Sequence, residues 1–172
     1  NGKNSLKRKQ NVILGVDPGL NKTGWAIINS YANFDTHIAH GEIITKSNQE
    51  LGKRLSIIYD KLLKVFDMFS PNAVAVEKIF ANQNPESSLK LGKARGMVYL
   101  VAAKNDLIIH EYSPNTVKKN LVGYGHANKE QILKMLKRIF PELSLSSEDA
   151  ADAMAVAICH SMQNNSKLSK LV

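Results

Sequence analysis

Two apolar rhythms run through this chain. Up to Thr45 the apolar residues come in short, branched runs. Residues 11–17 contain Val12-Ile13-Leu14-Gly15-Val16 and predict a buried strand. Pro18-Gly19 marks a turn. Residues 23–30, with Gly24-Trp25-Ala26-Ile27-Ile28, predict a second strand, and residues 37–45 a third. Only short loops join the three, the sign of an antiparallel meander. From about residue 48 to 69 the period lengthens. Leu51, Leu55, Ile58, Leu62, Val65, Phe66 and Phe69 fall at helical spacing, and Ser70-Pro71-Asn72 ends that helix. Residues 73–78 predict a short strand apolar on both faces, the kind a parallel sheet uses. Residues 86–104 predict a helix with Ser87 or Ser88 near its start, and residues 107–112 a fifth strand. Two shorter helices, about 114–121 and 128–139, flank Gly123-Tyr124-Gly125. Ser146-Ser147-Glu148-Asp149 has the cap hydroxyls and early acids of a helix start, and that helix runs to about Gln163. The order β-β-β-α-β-α-β-α-α-α predicts an α/β fold: one five-stranded mixed sheet flanked by helices. Residues 1–10 form a basic arm, residues 11–164 a single domain and residues 165–172 a tail.

Against this pattern four acids stand in apolar company. Asp17 ends the first strand and Glu77 ends Ala73-Val74-Ala75-Val76. Asp152 lies in Ala150-Ala151-Asp152-Ala153-Met154-Ala155, three residues after Asp149 and so on the same helix face. A carboxylate at the edge of a core is paired, protonated or bound to a metal. If the first and fourth strands are neighbours, Asp17 and Glu77 meet beyond the strand ends, where open α/β sheets hold their ligands. Four carboxylates in contact call for a cation, and hard oxygen donors suit Mg²⁺ or Mn²⁺. Such ions serve phosphodiester hydrolysis, and the carboxylate count permits one or two of them. Each acid alone also has an ordinary reading. Asp149 and Glu148 suit a helix N-terminus, Asp17 a Pro-Gly turn, and Glu77 an ion pair with Lys78. Asp152, several positions into the helix, is hardest to explain that way.

Composition narrows the field. The chain has 172 residues, enough for one domain with a substantial core, and no apolar run reaches the length of a membrane helix. Its net charge is +8; residues 1–10 supply four of those charges through Lys3, Lys7, Arg8 and Lys9 and contain no acid. The mildly basic remainder suits a polyanion partner. The single cysteine, Cys159, excludes an internal disulfide and fits a buried helix position in a reducing compartment. The five histidines show no metal-ligand spacing.

Taken together, these stretches resemble the RuvC family of Holliday-junction resolvases, of ribonuclease H-like (retroviral-integrase-like) fold. The matching blocks are Ile13 to Gly19, Val76-Glu77-Lys78-Ile79-Phe80, Leu89-Lys90-Leu91-Gly92-Lys93-Ala94-Arg95-Gly96, Val117-Lys118 with Gly123-Tyr124-Gly125 and Lys129, and Asp149-Ala150-Ala151-Asp152-Ala153. They span about residues 11–162 in the family's order. The resemblance implies that Asp17, Glu77, Asp149 and Asp152 are catalytic metal ligands; some relatives carry histidine at the position of Asp149. It implies a Mg²⁺-dependent endonuclease, with Mn²⁺ as a substitute. Such an enzyme acts as a homodimer on four-way junction DNA and cuts two strands symmetrically to leave 5′-phosphate and 3′-hydroxyl ends. It works with the RuvA–RuvB branch-migration complex at a bacterial nucleoid, in the cytoplasm.

For DNA contacts the resemblance favours Phe80, Lys90, Arg95, Lys118 and Lys129. Phe80, just beyond a strand end, suits stacking on an unpaired base, although a core phenylalanine is the plainer account. Lys118 and Lys129 suit phosphates, against the ordinary reading of solvated lysines. The helix at 86–104 suits a two-fold interface, with Gly92 and Gly96 allowing close approach, or simple intrachain packing. Two other functions keep the same fold: a nuclease for structured RNA, similar to the YqgF family, and a non-catalytic junction-binding module. An actin-like ATPase domain also begins with an aspartate-glycine strand, but this chain lacks a second such half.

Overall fold

The computed structural model describes residues 10–80, 84–145 and 147–169. Five strands and five helices follow in the predicted order: β1 (Asn11–Asp17), β2 (Lys22–Tyr31), β3 (Phe34–Ile44), α1 (Leu51–Phe69), β4 (Ala73–Glu77), α2 (Pro85–Lys104), β5 (Ile109–Tyr112), α3 (Pro114–Val122), α4 (Lys129–Ile139) and α5 (Glu148–Ser169). The sheet order is β3-β2-β1-β4-β5. β1, β2 and β3 form an antiparallel meander, while β4 and β5 join parallel to β1. The pairing of β1 with β4 is the neighbour relation on which a shared acidic site depends.

Local chemistry explains the boundaries. Ala32 and Asn33 both hold left-handed backbone in the two-residue turn between β2 and β3, which lets a right-twisted hairpin close. This carries β3 back to Phe34, three residues before its predicted start. α2 begins earlier than its serines suggest. Asn84 caps it by accepting from the Ser87 N–H at 3.2 Å, and Pro85 fills the first turn, where a missing N–H costs nothing. Leu107 packs into the core and Ile108 is exposed, so β5 starts only at Ile109. α5 continues to Ser169, past the predicted end at Gln163. Its start is as expected, with Ser147 Oγ accepting from the Ala150 N–H; Ser146, residues 1–9 and residues 170–172 lie outside the described residues.

The sheet separates two apolar layers. On one face Leu14, Val16, Ile27, Val74 and Val76 pack against α1 and α2. On the other, Ile13, Ala26, Ile28 and Ala75 pack against α3, α4 and α5. α5 is the central piece: Ala150 and then every residue from Ala153 to Ser161 is buried. It lies unusually close to the sheet because two glycines let it. A Cβ on Gly15 would stand 2.0 Å from the Ala153 carbonyl oxygen, and one on Gly24 would stand 2.1 Å from the Asp149 carbonyl oxygen. No side chain fits either gap.

Candidate active site

The alternation of a strand decides which way Asp17 and Glu77 face. Ile13 and Gly15 look toward α5, so Asp17 does too; Ala73 and Ala75 do the same for Glu77. In register, Val16 pairs with Val76, which leaves Asp17 and Glu77 side by side at the ends of parallel neighbours. The close seating of α5 on Gly24 and Gly15 then lowers Asp149 and Asp152 onto the same place. All four predicted acids converge. Their mutual charges show it: Asp17 feels Asp152, Asp149 and Glu77, and hydrogen-bonds with the Asp149 side chain.

The electrostatics are those of crowded, partly buried carboxylates. Burial, followed by the three neighbouring carboxylates, pushes the Asp17 carboxyl up to about 7. Burial raises Glu77 as well, with Asp152 adding to the shift and Lys118 and Arg95 opposing it. Asp152 is raised by burial, while Lys129 pulls the other way. Glu77 stands exposed at the strand end, yet its carboxyl is still raised by partial burial and by Asp152. Among the described residues no three acidic, histidine or cysteine side chains stand close enough together, as placed, to hold a metal ion. Asp17, Glu77 and Asp152 line a common open cleft, and Asp149 stands against Asp17 at its edge. With oxygen donors only, these side chains match a hard divalent cation in donor chemistry.

Two cavities meet at Glu77 and Asp152. The smaller, about 370 Å³, holds Asp17, Glu77 and Asp152 together with Phe80, Leu91 and Arg95. The larger, about 470 Å³, runs between α3, α4 and α5, with Lys118, Lys129 and Glu148 beside an apolar floor that includes Val117 and Leu133. Phe80 is 59% exposed at the wall of the smaller cavity, which excludes the core reading for it. Lys118 faces Glu77 across the larger cavity. Lys129, at the start of α4, pairs with Glu148 at 3.1 Å on the surface. Asn128 and Gln131 hold that helix start in a reciprocal cap. Lys90 lines neither cavity and pairs loosely with Glu86 at 3.6 Å.

Arg95 departs from expectation. Its guanidinium does not point into solvent toward a phosphate. It donates to the Glu77 main-chain carbonyl at 2.6 Å and to the Glu111 carboxylate at 2.9 Å. Both contacts lie within the protein, and the side chain is 11% exposed at the wall of the smaller cavity. Two further polar residues near the site escaped the sequence reading. Glu111 gave no signal. Arg54 did, because it occupies the buried stripe of α1 with Ile58, Leu62 and Val65. Its guanidinium donates to Thr45 Oγ1 at 2.9 Å and to Asn21 Oδ1 at 2.6 Å, and Thr45 in turn donates to the Leu20 carbonyl. This ties down the loop that follows Asp17. The histidines stay away from the acids: His37 pairs with His40, and His160 with Tyr112. Cys159 is buried, its thiol pushed up to about 12 by desolvation, and so is inert.

A family model described as "Crossover junction endodeoxyribonuclease RuvC" matches residues 13–160. The chain belongs to the RuvC family. The RuvC of Wolbachia sp. subsp. Drosophila simulans (strain wRi) is 48% identical over 155 residues, covering 90% of this chain and 96% of that protein. The RuvC of Sinorhizobium medicae (strain WSM419) is 43% identical over 159 residues, covering 92% and 95%. Among solved structures, Thermus thermophilus RuvC in complex with Holliday junction substrate aligns with a TM-score of 0.86 at 29% identity, covering 91% of this chain and 96% of that one. A second Thermus thermophilus RuvC structure aligns with a TM-score of 0.82. The fold is therefore the ribonuclease H-like one that RuvC proteins share.

Proposed function

We propose that this RuvC-family chain is the endodeoxyribonuclease that resolves Holliday junctions, cutting two strands symmetrically to leave 5′-phosphate and 3′-hydroxyl ends in DNA recombination and repair. The observation that carries this reading is the gathering of Glu77, Asp149 and Asp152 around Asp17 within a chain of this family. Neither action on structured RNA nor binding without cleavage gains support: the family is that of the junction endonucleases, and all four acids are present.

Family membership implies a divalent metal. The four carboxylates are the residues that would hold it, as Mg²⁺ or in its place Mn²⁺, with one or two ions per subunit. Bound there, the metal supplies Lewis acidity toward the phosphodiester and lowers the pKa of water. The protein's own groups do the rest. Lys118, over Glu77, neutralises the phosphate that enters the cleft, and Lys129 holds a neighbouring phosphate once it exchanges Glu148 for DNA. Phe80 projects beyond β4 and stacks on a base unpaired at the crossover. Lys90 contacts DNA farther from the acids.

A homodimer supplies the second cut. The outer face of α2 exposes Leu89 and Leu100, and nothing lies within 4 Å of the Cβ positions of Gly92 and Gly96. That face suits a second copy of the chain across a two-fold axis. RuvA–RuvB is the partner machine, and the bacterial cytoplasm, at the nucleoid, is the setting. Among the described residues no helix is long and apolar enough to cross a membrane. The test is cleavage of a synthetic four-way junction in Mg²⁺ by wild type and by D17N. Wild type should cut at symmetric positions and D17N should be slower by about a thousand-fold or more, the loss of several kcal/mol of charge stabilisation. Equal cutting by D17N would remove Asp17 from the mechanism.

A further inference from the structure

Glu77 is the last residue of β4, where a strand normally frays. Here the peptide that follows it is held at both ends. The Glu77 carbonyl accepts from Arg95 Nη1 at 2.6 Å. The N–H of the same peptide unit, on Lys78, donates to the Tyr112 carbonyl at 2.8 Å. With both polar groups fixed, the peptide plane cannot swing, and the ψ angle of Glu77 is set. That angle decides where the side chain leaves the backbone, and so where its carboxylate meets Asp17 and Asp152.

Arg95 is itself anchored. Its Nη2 donates to Glu111 Oε1 at 2.9 Å, and Glu111 stands opposite Val76 on β5. The guanidinium carbon lies 5.6 Å from the centre of the Tyr99 ring, one turn further along α2. The planar fork uses one arm on a carbonyl and the other on a carboxylate, a division that lysine cannot reproduce. Arg95 thus joins three elements, α2, β4 and β5, at the residue where the acidic cleft begins.

We infer that Arg95 is a positioning residue for Glu77: from α2 it locks the Glu77–Lys78 peptide, and it acts on the carboxylate through that peptide rather than by touching DNA. The inference rests on the resolvase reading above. It also makes the seating of α2, whose outer face is the proposed dimer surface, a condition for an aligned site.

The experiment compares full-length wild type, R95Q, R95K and E111Q. Three quantities are measured: single-turnover cleavage of a four-way junction at saturating protein, junction affinity, and Mn²⁺ affinity. R95Q should bind the junction within about two-fold of wild type yet cleave about 10- to 100-fold more slowly, with Mn²⁺ affinity weakened over a similar range. R95K, able to hold the carbonyl alone, should recover part of the rate. E111Q, which loosens the anchor but leaves the carbonyl contact, should show the same rate-only defect in milder form. Junction affinity falling in proportion to rate would make Arg95 a DNA contact and overturn the inference, as would wild-type rate and metal affinity in R95Q. Should R95Q melt far below wild type, R95K and E111Q carry the same test. If wild type itself does not cut, the resolvase reading fails, and Mn²⁺ affinity alone still decides whether Arg95 sets Glu77.

Discussion

Asp17 is a residue whose ionisation the fold opposes. Its carboxyl sits at about 7 in the fold, against 3.8 for a free aspartate, because burial and three like charges oppose ionisation. The sign of the linkage follows. A folded value above the unfolded one favours the native state at low pH, and that advantage is lost as pH rises through about 7. Metal-free protein should therefore become less stable between about pH 4 and pH 7 on account of Asp17. D17N should raise its melting temperature at pH 8, the gain being on the order of a few kcal/mol at most. Melting curves of both proteins in chelator across this range check it; no gain for D17N at pH 8 refutes it. Activity runs the opposite way. Metal ligands must lose their protons, so cleavage should rise with pH toward neutrality and level off above it. A single-turnover pH–rate profile in Mg²⁺ that is flat from pH 5.5 to 8 would contradict the raised carboxyls. Lys129 belongs at this scale as well. E148Q releases it from its surface partner and should tighten junction binding modestly at low salt, an effect that salt removes. Titration of binding in low and high salt is the check.

At the scale of elements, the decisive feature is the pair of glycines beneath α5. G24A would force a methyl group into the Asp149 carbonyl and lift the first turn of the helix. The expected cost is about 1–3 kcal/mol of stability, with a larger proportional loss of metal affinity, since Asp149 and Asp152 move together. Calorimetric Mn²⁺ titration together with thermal melting separates the two; stability lost with metal affinity intact would mean that α5 repacks without moving its acids. These elements also show how much of the molecule was legible in its sequence. The limits of β1 were plain from its branched apolar run, and the order of elements from the change of period. Asp152 announced itself as a charge among alanines. What could not be read was set partly by local backbone geometry and partly by contacts distant in sequence. β3 starts early because Ala32 and Asn33 accept left-handed backbone, and α2 starts early because Asn84 is its cap. The Asp149 reading needed the seat on Gly24, 125 residues away. The family resemblance favoured Arg95 as a DNA contact; its two acceptors within the protein, one of them a main-chain oxygen, left no mark in the sequence.

For the whole molecule, charge and symmetry set the expectations. Four of the eight excess positive charges lie in residues 1–10. If that arm touches phosphates, deleting it should lower the slope of log affinity against log salt by up to about 4. An unchanged slope over a salt series would place the arm away from DNA. The proposed two-fold places Leu89 at the interface, so L89E should shift sedimentation toward the monomer. It should also convert paired incisions into single nicks on a cruciform plasmid. A dimeric L89E would move the interface elsewhere.

The four acids come from β1, β4 and α5, so the cleft draws on chain from residue 17 to residue 152. Half of it rides on the final helix. A ribosome releasing this chain thus exposes Asp17 and Glu77 long before Asp149 and Asp152 exist. The half-made product also lacks the helix that covers one face of its sheet. On the roles proposed for these acids, nuclease activity arrives only once α5 has settled onto the sheet.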